Sequence, residues 1–551
     1  MAKKPLTPRR RVASALCAGL LGLMPAIAAA TTYNTIRVPL NKLENKGSSL
    51  RSYIPADLDG DGEYEFIFKD QRQQLDPAKS FPTNINGTIK IRALDMKGNI
   101  LWTHDMGWGI TPGIWYSPTY VYDADQDGRD EIYTIGVRNF TGNTSTHTRH
   151  YGASPEFPGD EKLFKLDPRT GEVVDEAPWL PRDKEYPWVT NARNHIVVAY
   201  LDSGKGVKPH IVALRGKYAR MMVNVYDTDL NIVASWKDTD EPATWTQSIY
   251  KNSVTGASSE RVSEYFDSGG SSMTAADLDG DGKDEIILGS SALKFHGRNN
   301  LRGLWAVGGN IDGSYVGDFK WDNPGLEVWI GQERYASRSG LYDGRTGRVI
   351  FDRAGPSAGA RHVADVDLSK PGWEFFIYND VYHADGTEAN KSYMPQNNHH
   401  MLATWWTGSE RMIPVGSEGI PMSQRTGHKY AGDIMGDWRE EIMYPNTGTN
   451  ELIIYSPTGT PDIKLPDGAL RSDRVYRVTA ARGSFGMTGY YQRPTLSKRI
   501  KDLGGYTPPQ PPANRAPVAR AGSDISVTDS DGNGNQSVTL DGSASSDPDG
   551  D

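Results

Sequence analysis

The sequence predicts an all-β protein, a single seven-bladed β-propeller with calcium-binding Asp/Gly hairpins, and three observations lead there. One pattern recurs seven times: an Asp closes an apolar segment, and eight or nine residues later a second apolar segment opens, usually on a Glu. Each copy reads as strand, tight turn, strand. Most repeats add a second turn signal downstream, such as Asp95-Met96-Lys97-Gly98 or Asp343-Gly344-Arg345-Thr346-Gly347. Two hairpins make the four strands of one blade. The third observation is length. Single cores stop growing near ~250–300 residues, and repeats shorter than the ~100 residues of a sandwich domain let a 551-residue chain grow by adding blades.

Along the chain, residues 1–30 come first. Lys3, Lys4, Arg9, Arg10 and Arg11 precede an apolar run from Val12 to Leu23 and a small-residue stretch ending at Ala30, the layout of a secretory signal peptide. A secreted protein is expected. Cleavage removes five basic residues and takes the formal net charge from −9 to −14. It also removes Cys17, the one cysteine, so no disulfide staples the mature chain. The propeller spans 31–503. Its repeats are Asp57–Glu65, Asp123–Glu131, the degenerate Asp202–His210, Asp277–Glu285, Asp318–Glu327, Asp365–Glu374 and Asp433–Glu441. A stiff Pro-rich linker occupies 504–515, and 516–551 reads as the truncated start of an immunoglobulin-like module. The net negative charge argues against a nucleic-acid partner. No internal run of ~20 apolar residues suggests a membrane span. A monomer is expected.

Three repeats are complete Asp-x-Asp-x-Asp-Gly-x-x-Glu loops: Asp57, Asp59, Asp61 and Glu65; Asp123, Asp125, Asp127 and Glu131; Asp277, Asp279, Asp281 and Glu285. Four carboxylates on one turn repel each other unless a hard cation takes their oxygens. Strands rather than helices flank them, so these are not EF-hands. The expected cofactor is Ca2+ in a structural role, pinning blade hairpins.

The Asp/Gly hairpins share one face of a propeller, which leaves the segments entering first strands and leaving second strands on the other. Those segments are basic and aromatic, and they include His147, His150, His195, Arg215, Arg302, Arg334 and Arg338. A cationic cleft focuses an anionic substrate, and acidic polysaccharide is the leading class. Hydrolysis needs two carboxylates beside the scissile bond, and this face is poor in carboxylates. Elimination needs a cation on the uronate carboxylate, a base for the C5 proton and an acid for the leaving oxygen. His147, His150 and His195 are candidate bases, and the arginines are candidate substrate ligands.

Three motifs carry a family resemblance. Leu58-Asp59-Gly60-Asp61-Gly62-Glu63-Tyr64-Glu65, Arg215-Gly216-Lys217-Tyr218-Ala219-Arg220 and Gly436-Asp437-Trp438-Arg439-Glu440-Glu441 stand in the same order as in the propeller rhamnogalacturonan lyases of polysaccharide lyase family 11. The resemblance covers residues 53–495. It adds Tyr218 to the candidate catalytic set and Arg220 to the substrate ligands. The sequence departs from that family in lacking an extra N-terminal β-domain, in counting seven blades rather than eight, and in carrying Asp267-Ser268-Gly269-Gly270-Ser271-Ser272 where the family has a Gly-Asn-His-Asn-like stretch. It resembles more nearly the seven-bladed ulvan lyases, such as polysaccharide lyase family 24. That resemblance implies a secreted enzyme cleaving an acidic sulfated polysaccharide, between sulfated rhamnose and a uronic acid, with a His base and an Arg neutraliser in a central canyon. The alternatives are a rhamnogalacturonan lyase and a non-catalytic propeller that binds acidic polysaccharide.

Overall fold

The computed structural model describes residues 32–44, 53–70, 88–110, 117–140, 159–182, 193–217, 219–241, 273–307, 311–332, 338–354, 361–377, 380–393, 403–409, 411–417, 420, 430–446, 448–463, 465, 470–471, 474–482, 528 and 532. The expected signal peptide, the expected Pro-rich linker and nearly all of 516–551 lie outside the described residues.

Each repeat heads its own sheet, and the protein is a seven-bladed β-propeller. Blade 1 runs Tyr53–Ala56, Glu65–Asp70, Lys90–Leu94, Ile100–Asp105, hydrogen-bonded in that order, and the next four blades repeat the meander. First strands such as Tyr53–Ala56 and Thr119–Tyr122 are buried at every position, as strands covered on both faces require. Fourth strands alternate, exposing Leu101, Val174, Ile232 and Val349 to solvent. First strands are therefore central and fourth strands form the rim.

Blade 7 closes the ring. Its strands Tyr430–Gly432, Glu441–Asn446 and Glu451–Pro457 take their fourth from the chain's start, Tyr33–Pro39, which pairs from Tyr33 opposite Pro457 to Pro39 opposite Glu451. The two ends of the ring thus share one sheet, with Tyr33–Pro39 covering the outer edge of Glu451–Pro457. In blade 6 three strands are described, Arg361–Ala364, Glu374–Ile377 and Asp380–His383.

Between blades 6 and 7 lies a two-stranded wedge, Ala403–Thr404 with Ile413–Pro414. Its joints copy those between blades. From blade 2 to blade 1, the Asp130 N–H donates to the Asp57 carbonyl at 2.8 Å, and the Asp57 N–H returns to Asp130 Oδ2 at 2.9 Å. In the wedge, the Met412 N–H donates to the Asp365 carbonyl of blade 6 at 2.7 Å, and the Trp405 N–H donates to Glu440 Oε2 of blade 7 at 3.3 Å. Trp405 holds the position a repeat Asp holds elsewhere, so the seven-copy pattern does not register it. Trp405 and Trp406 are fully buried.

The core divides into large clusters. One is built from blades 1–4; another gathers Trp329, Phe375, Trp373, Trp405 and Trp438 of blades 5–7 and the wedge. One feature of this all-β chain was not expected from the sequence: a helix, α1, over Arg474–Arg482, packed on the first strands of blades 2, 3 and 4. Among the described residues, no helix is long and apolar enough to cross a membrane.

Candidate functional site

At the end of blades 2 and 3 away from the hairpins, the sheet register gathers a buried ionic cluster. Glu161 opens the third strand of blade 2, and Arg215, near the end of the second strand of blade 3, lies opposite Asn194. Glu161 accepts from Arg215 Nη2 at 2.8 Å and from Arg182 Nε and Nη2 at 3.0 and 2.8 Å. Burial would raise the Glu161 carboxyl, but the two guanidiniums hold it down at about 2. Beyond Arg215 the second strand bulges at Gly216, whose N–H bonds the Arg193 carbonyl at 2.9 Å and whose φ is +111°, a conformation that favours glycine. Past the bulge, Lys217 pairs with Ala219 at the start of the third strand. A lysine is buried at the same end of blade 1. Lys69 donates to the Ser117 carbonyl, and burial brings its amine down to about 7.

The expected site residues separate. His195 is buried one residue into the first strand of blade 3, opposite Leu214. Arg215 is 0% exposed and paired with Glu161, so its charge ties blade 3 to blade 2. Arg220 and Arg338 lie at the same end of their blades, in strands Ala219–Tyr226 and Arg338–Asp343, with their backbones described. His147, His150, Tyr218 and Arg334 lie outside the described residues, as do Asp267–Ser272.

One expectation is corrected. Arg302 sits in the rim strand of blade 4 opposite Lys294, which touches the Asp279 and Asp281 carboxylates. It therefore belongs to the hairpin end. His296 and Arg298 line a cavity there with Asp202 and Asp281, and His383 bonds the repeat Glu374. The reason is a short connection. Leu288 and Ser291 close the turn between the second and third strands of blade 4, so residues that follow have already run back to the hairpins.

The hairpin end shows what the repeat does. In each Glu-bearing repeat, the Glu Oε2 accepts backbone N–H groups just past the repeat Asp: Leu58 for Glu65, Ala124 for Glu131, Leu278 for Glu285, Phe319 and Lys320 for Glu327, Val366 and Asp367 for Glu374, Ile434 and Met435 for Glu441. The Glu is a latch across the turn. Burial raises these acids, Glu131, Glu327 and Glu441 to about 8 and Glu285 to about 7.

In the complete loops, the Asp side chains fold the turn around themselves. Asp57 accepts from the Gly60 and Gly62 N–H groups at 2.8 and 3.0 Å, and Asp277 accepts from Gly280 and Gly282 at 2.8 and 2.9 Å. Carboxylate oxygens of Asp123, Asp125, Asp127 and Glu131 lie within 4.8 Å of one another. So do those of Asp57, Asp59 and Asp61, and those of Asp277, Asp279 and Glu285. Glu65 and Asp281 stand outside these groups. Oxygen-rich clusters of this size suit a hard divalent cation. The fit also shows at the latch: Glu131 and Glu285 keep Oε2 on the turn, which leaves Oε1 for the cluster.

Comparison with known proteins decides the family. Residues 49–413 and 422–511 match the model for the rhamnogalacturonan lyase family 11 C-terminal domain. The chain belongs to rhamnogalacturonan lyase family 11. The rhamnogalacturonan endolyase YesW of Bacillus subtilis (strain 168) is 28% identical over 468 residues, 77% of this chain and 70% of YesW. The rhamnogalacturonan exolyase YesX of the same organism is 28% identical over 545 residues, 87% of this chain and 83% of YesX. The solved structure of Bacillus licheniformis rhamnogalacturonan lyase PL11 matches with a TM-score of 0.65 at 25% identity, covering 84% of this chain and 83% of that one. Family 11 membership makes the protein a polysaccharide lyase. It also favours the rhamnogalacturonan alternative over the ulvan reading that the blade count suggested.

The Glu161–Arg182 half of the ionic cluster had escaped sequence reasoning, because an Asp-Glu-Lys strand start carries no motif. The acids that join blades did leave a signal, the doublets Asp130-Glu131, Asp284-Glu285 and Glu440-Glu441.

Proposed function

We propose that this protein is a secreted rhamnogalacturonan lyase that cuts the bond between rhamnose and galacturonate by β-elimination, leaving an unsaturated uronate. The observation that carries the reading is the family 11 match across the propeller, supported by two curated relatives named for rhamnogalacturonan. β-Elimination needs the galacturonate carboxylate neutralised so that the C5 proton becomes acidic, a base to remove it and a donor to protonate the departing oxygen. Arg220, Arg334 and Arg338 are the neutralisers in this proposal. One of His147, His150 and His195 is the base, and Tyr218 protonates the leaving oxygen. Arg215 and Glu161 position the turn that carries Tyr218 and Arg220.

Calcium in the loops at Asp57–Glu65, Asp123–Glu131 and Asp277–Glu285 belongs to the same proposal, in a structural role. When bound, it would supply charge compensation for the clustered carboxylates.

The test is incubation with rhamnogalacturonan I, ulvan and a glycosaminoglycan, following the ultraviolet absorbance of the unsaturated uronate. Absorbance should rise with rhamnogalacturonan I. A rise with ulvan alone would restore the sulfated-substrate reading, and no rise with any polymer would leave a binding propeller. His147→Ala and His150→Ala assayed side by side assign the base; full activity in both would move that role to His195.

A further inference from the structure

We propose that helix α1 is an axle, which clamps blades 1–4 to blades 5–7 through the axis of the ring so that the propeller unfolds as one unit. This is independent of substrate and catalysis.

The residue before the repeat Glu is acidic in three blades: Asp130 in blade 2, Asp284 in blade 4 and Glu440 in blade 7. In three others it is Tyr64, Leu326 or Trp373, and in the degenerate blade 3 Pro209 precedes His210. Each acid makes the same three-way joint. It belongs to its own blade, one oxygen takes a backbone N–H from the preceding sheet, and the other faces the helix. Asp130 Oδ2 accepts from Asp57, and Arg477 Nη2 reaches Oδ1 at 3.3 Å. Asp284 Oδ2 accepts from Tyr200 at 2.7 Å, and Arg474 Nη2 lies 2.7 Å from Oδ1. Glu440 Oε2 accepts from Trp405, and Tyr476 donates its hydroxyl to Oε1 at 3.3 Å. The Asp433 N–H of blade 7 donates to that same hydroxyl at 2.9 Å.

Arg471, just before the helix, donates to the carbonyls of Gly62 in blade 1 and of Asp433 and Ile434 in blade 7. The three guanidiniums also sit over rings: Arg471 4.0 Å from Tyr64, Arg477 4.6 Å from Tyr122 and Arg474 5.0 Å from Tyr200. A cation over an aromatic face, with a carboxylate or carbonyl beyond it, is held by both.

The apolar side of the helix divides the same way. Val478 and Ala481 belong to the core of blades 1–4, whereas Tyr476 belongs to the core of blades 5–7. Tyr120 of blade 2 caps the bridge by donating its hydroxyl to the Val478 carbonyl at 3.2 Å. Among the described residues, the helix leaves little space against blades 1, 2 and 7. The space left between Tyr64, Tyr122, Asp130, Asp433, Arg471 and Arg477 is about 40 Å³, room for ordered water but not for a sugar ring.

A ring without disulfides, whose core is divided among clusters, with smaller ones at the joints of blade 7 with blade 1 and of blade 4 with blade 5, would otherwise open in contiguous units of differing stability. The helix couples those units, because leaving its seat takes the Arg474 guanidinium from Asp284 and the Tyr476 hydroxyl from Glu440, two acids that are almost wholly buried.

The experiment is scanning calorimetry of the full chain, comparing wild type with Arg474→Met/Arg477→Met and with Arg474→Lys/Arg477→Lys. Wild type and the Lys pair should each melt in one transition, and the Met pair in two. A single transition for the Met pair, at whatever temperature, would overturn the proposal. Should the Met pair fail to fold, hydrogen exchange on wild type decides. Helix amides that exchange no faster than those of Thr119–Tyr122 and Thr274–Ala276 support the axle; helix amides exchanging tenfold or more ahead of those strands overturn it.

Discussion

Blades 2 and 4 and blades 5, 6 and 7 fold their first hairpins with the same latch and answer one question differently. In all five, the repeat Glu gives Oε2 to the turn. In blades 5–7 the second oxygen is met by a protein group: Asn323 Nδ2 to Glu327 at 2.8 Å, His383 Nδ1 to Glu374 at 3.1 Å, Ser456 Oγ to Glu441 at 3.1 Å. In blades 2 and 4 that oxygen faces a carboxylate cluster. A lysine ammonium stands nearby, Lys165 at 3.9 Å from Glu131 and Lys294 at 3.3 Å from Glu285. A buried carboxylate oxygen without a partner is costly, so in these five hairpins the second oxygen meets an internal donor in blades 5–7 and, in the calcium proposal, a cation in blades 2 and 4.

The largest expected consequence is calcium dependence. A ligand at a thousandfold excess over its Kd stabilises by about 4 kcal/mol per site, so chelation should lower the Tm markedly. An unchanged melt would erase the distinction between the two kinds of hairpin. Next comes the latch itself. Glu441→Ala should cost about 2–4 kcal/mol by leaving the Ile434 and Met435 N–H groups unsatisfied, equally with calcium and with chelator. Glu285→Ala should cost more in calcium than in chelator, and denaturant titrations of both variants under both conditions check the pair.

A smaller effect follows from His383. Its bond to Glu374 raises the imidazole above its ordinary value. A raised folded value means its contribution is full below the unfolded value near ~6.5 and lost as pH climbs through the folded one. Wild type should therefore lose up to about 1 kcal/mol between weakly acidic and alkaline pH that His383→Gln does not lose. Parallel curves for the two proteins would contradict this. Smallest is the competition in blade 4. Lys294→Met removes an ammonium from among Asp279, Asp281 and Glu285, so calorimetric titration should show tighter calcium binding at that loop; weaker binding would make the lysine part of the site.

The repeat made the blades legible because its signal is local. An Asp/Gly turn between two apolar runs needs no tertiary context to be read, and the Glu latch lies on the same hairpin. What escaped was decided across blades. Arg215 looks alike in sequence whether it faces a substrate or Glu161, and only the strand register brings that partner to it. The wedge at Ala403–Thr404 puts Trp405 where the pattern demands Asp, and it folds because both neighbouring blades supply its hydrogen bonds. Helix α1 was hidden by composition. Arg474-Val475-Tyr476-Arg477-Val478-Thr479 is rich in β-branched and aromatic residues, which favour strands, and the contacts that make it a helix come from blades 2, 3 and 4.

Elimination by this family 11 lyase is decided by the mass of the fragments released from rhamnogalacturonan I. They should be oligosaccharides ending in an unsaturated galacturonate, each lighter by one water than a hydrolytic product. Fragments with saturated ends would contradict it.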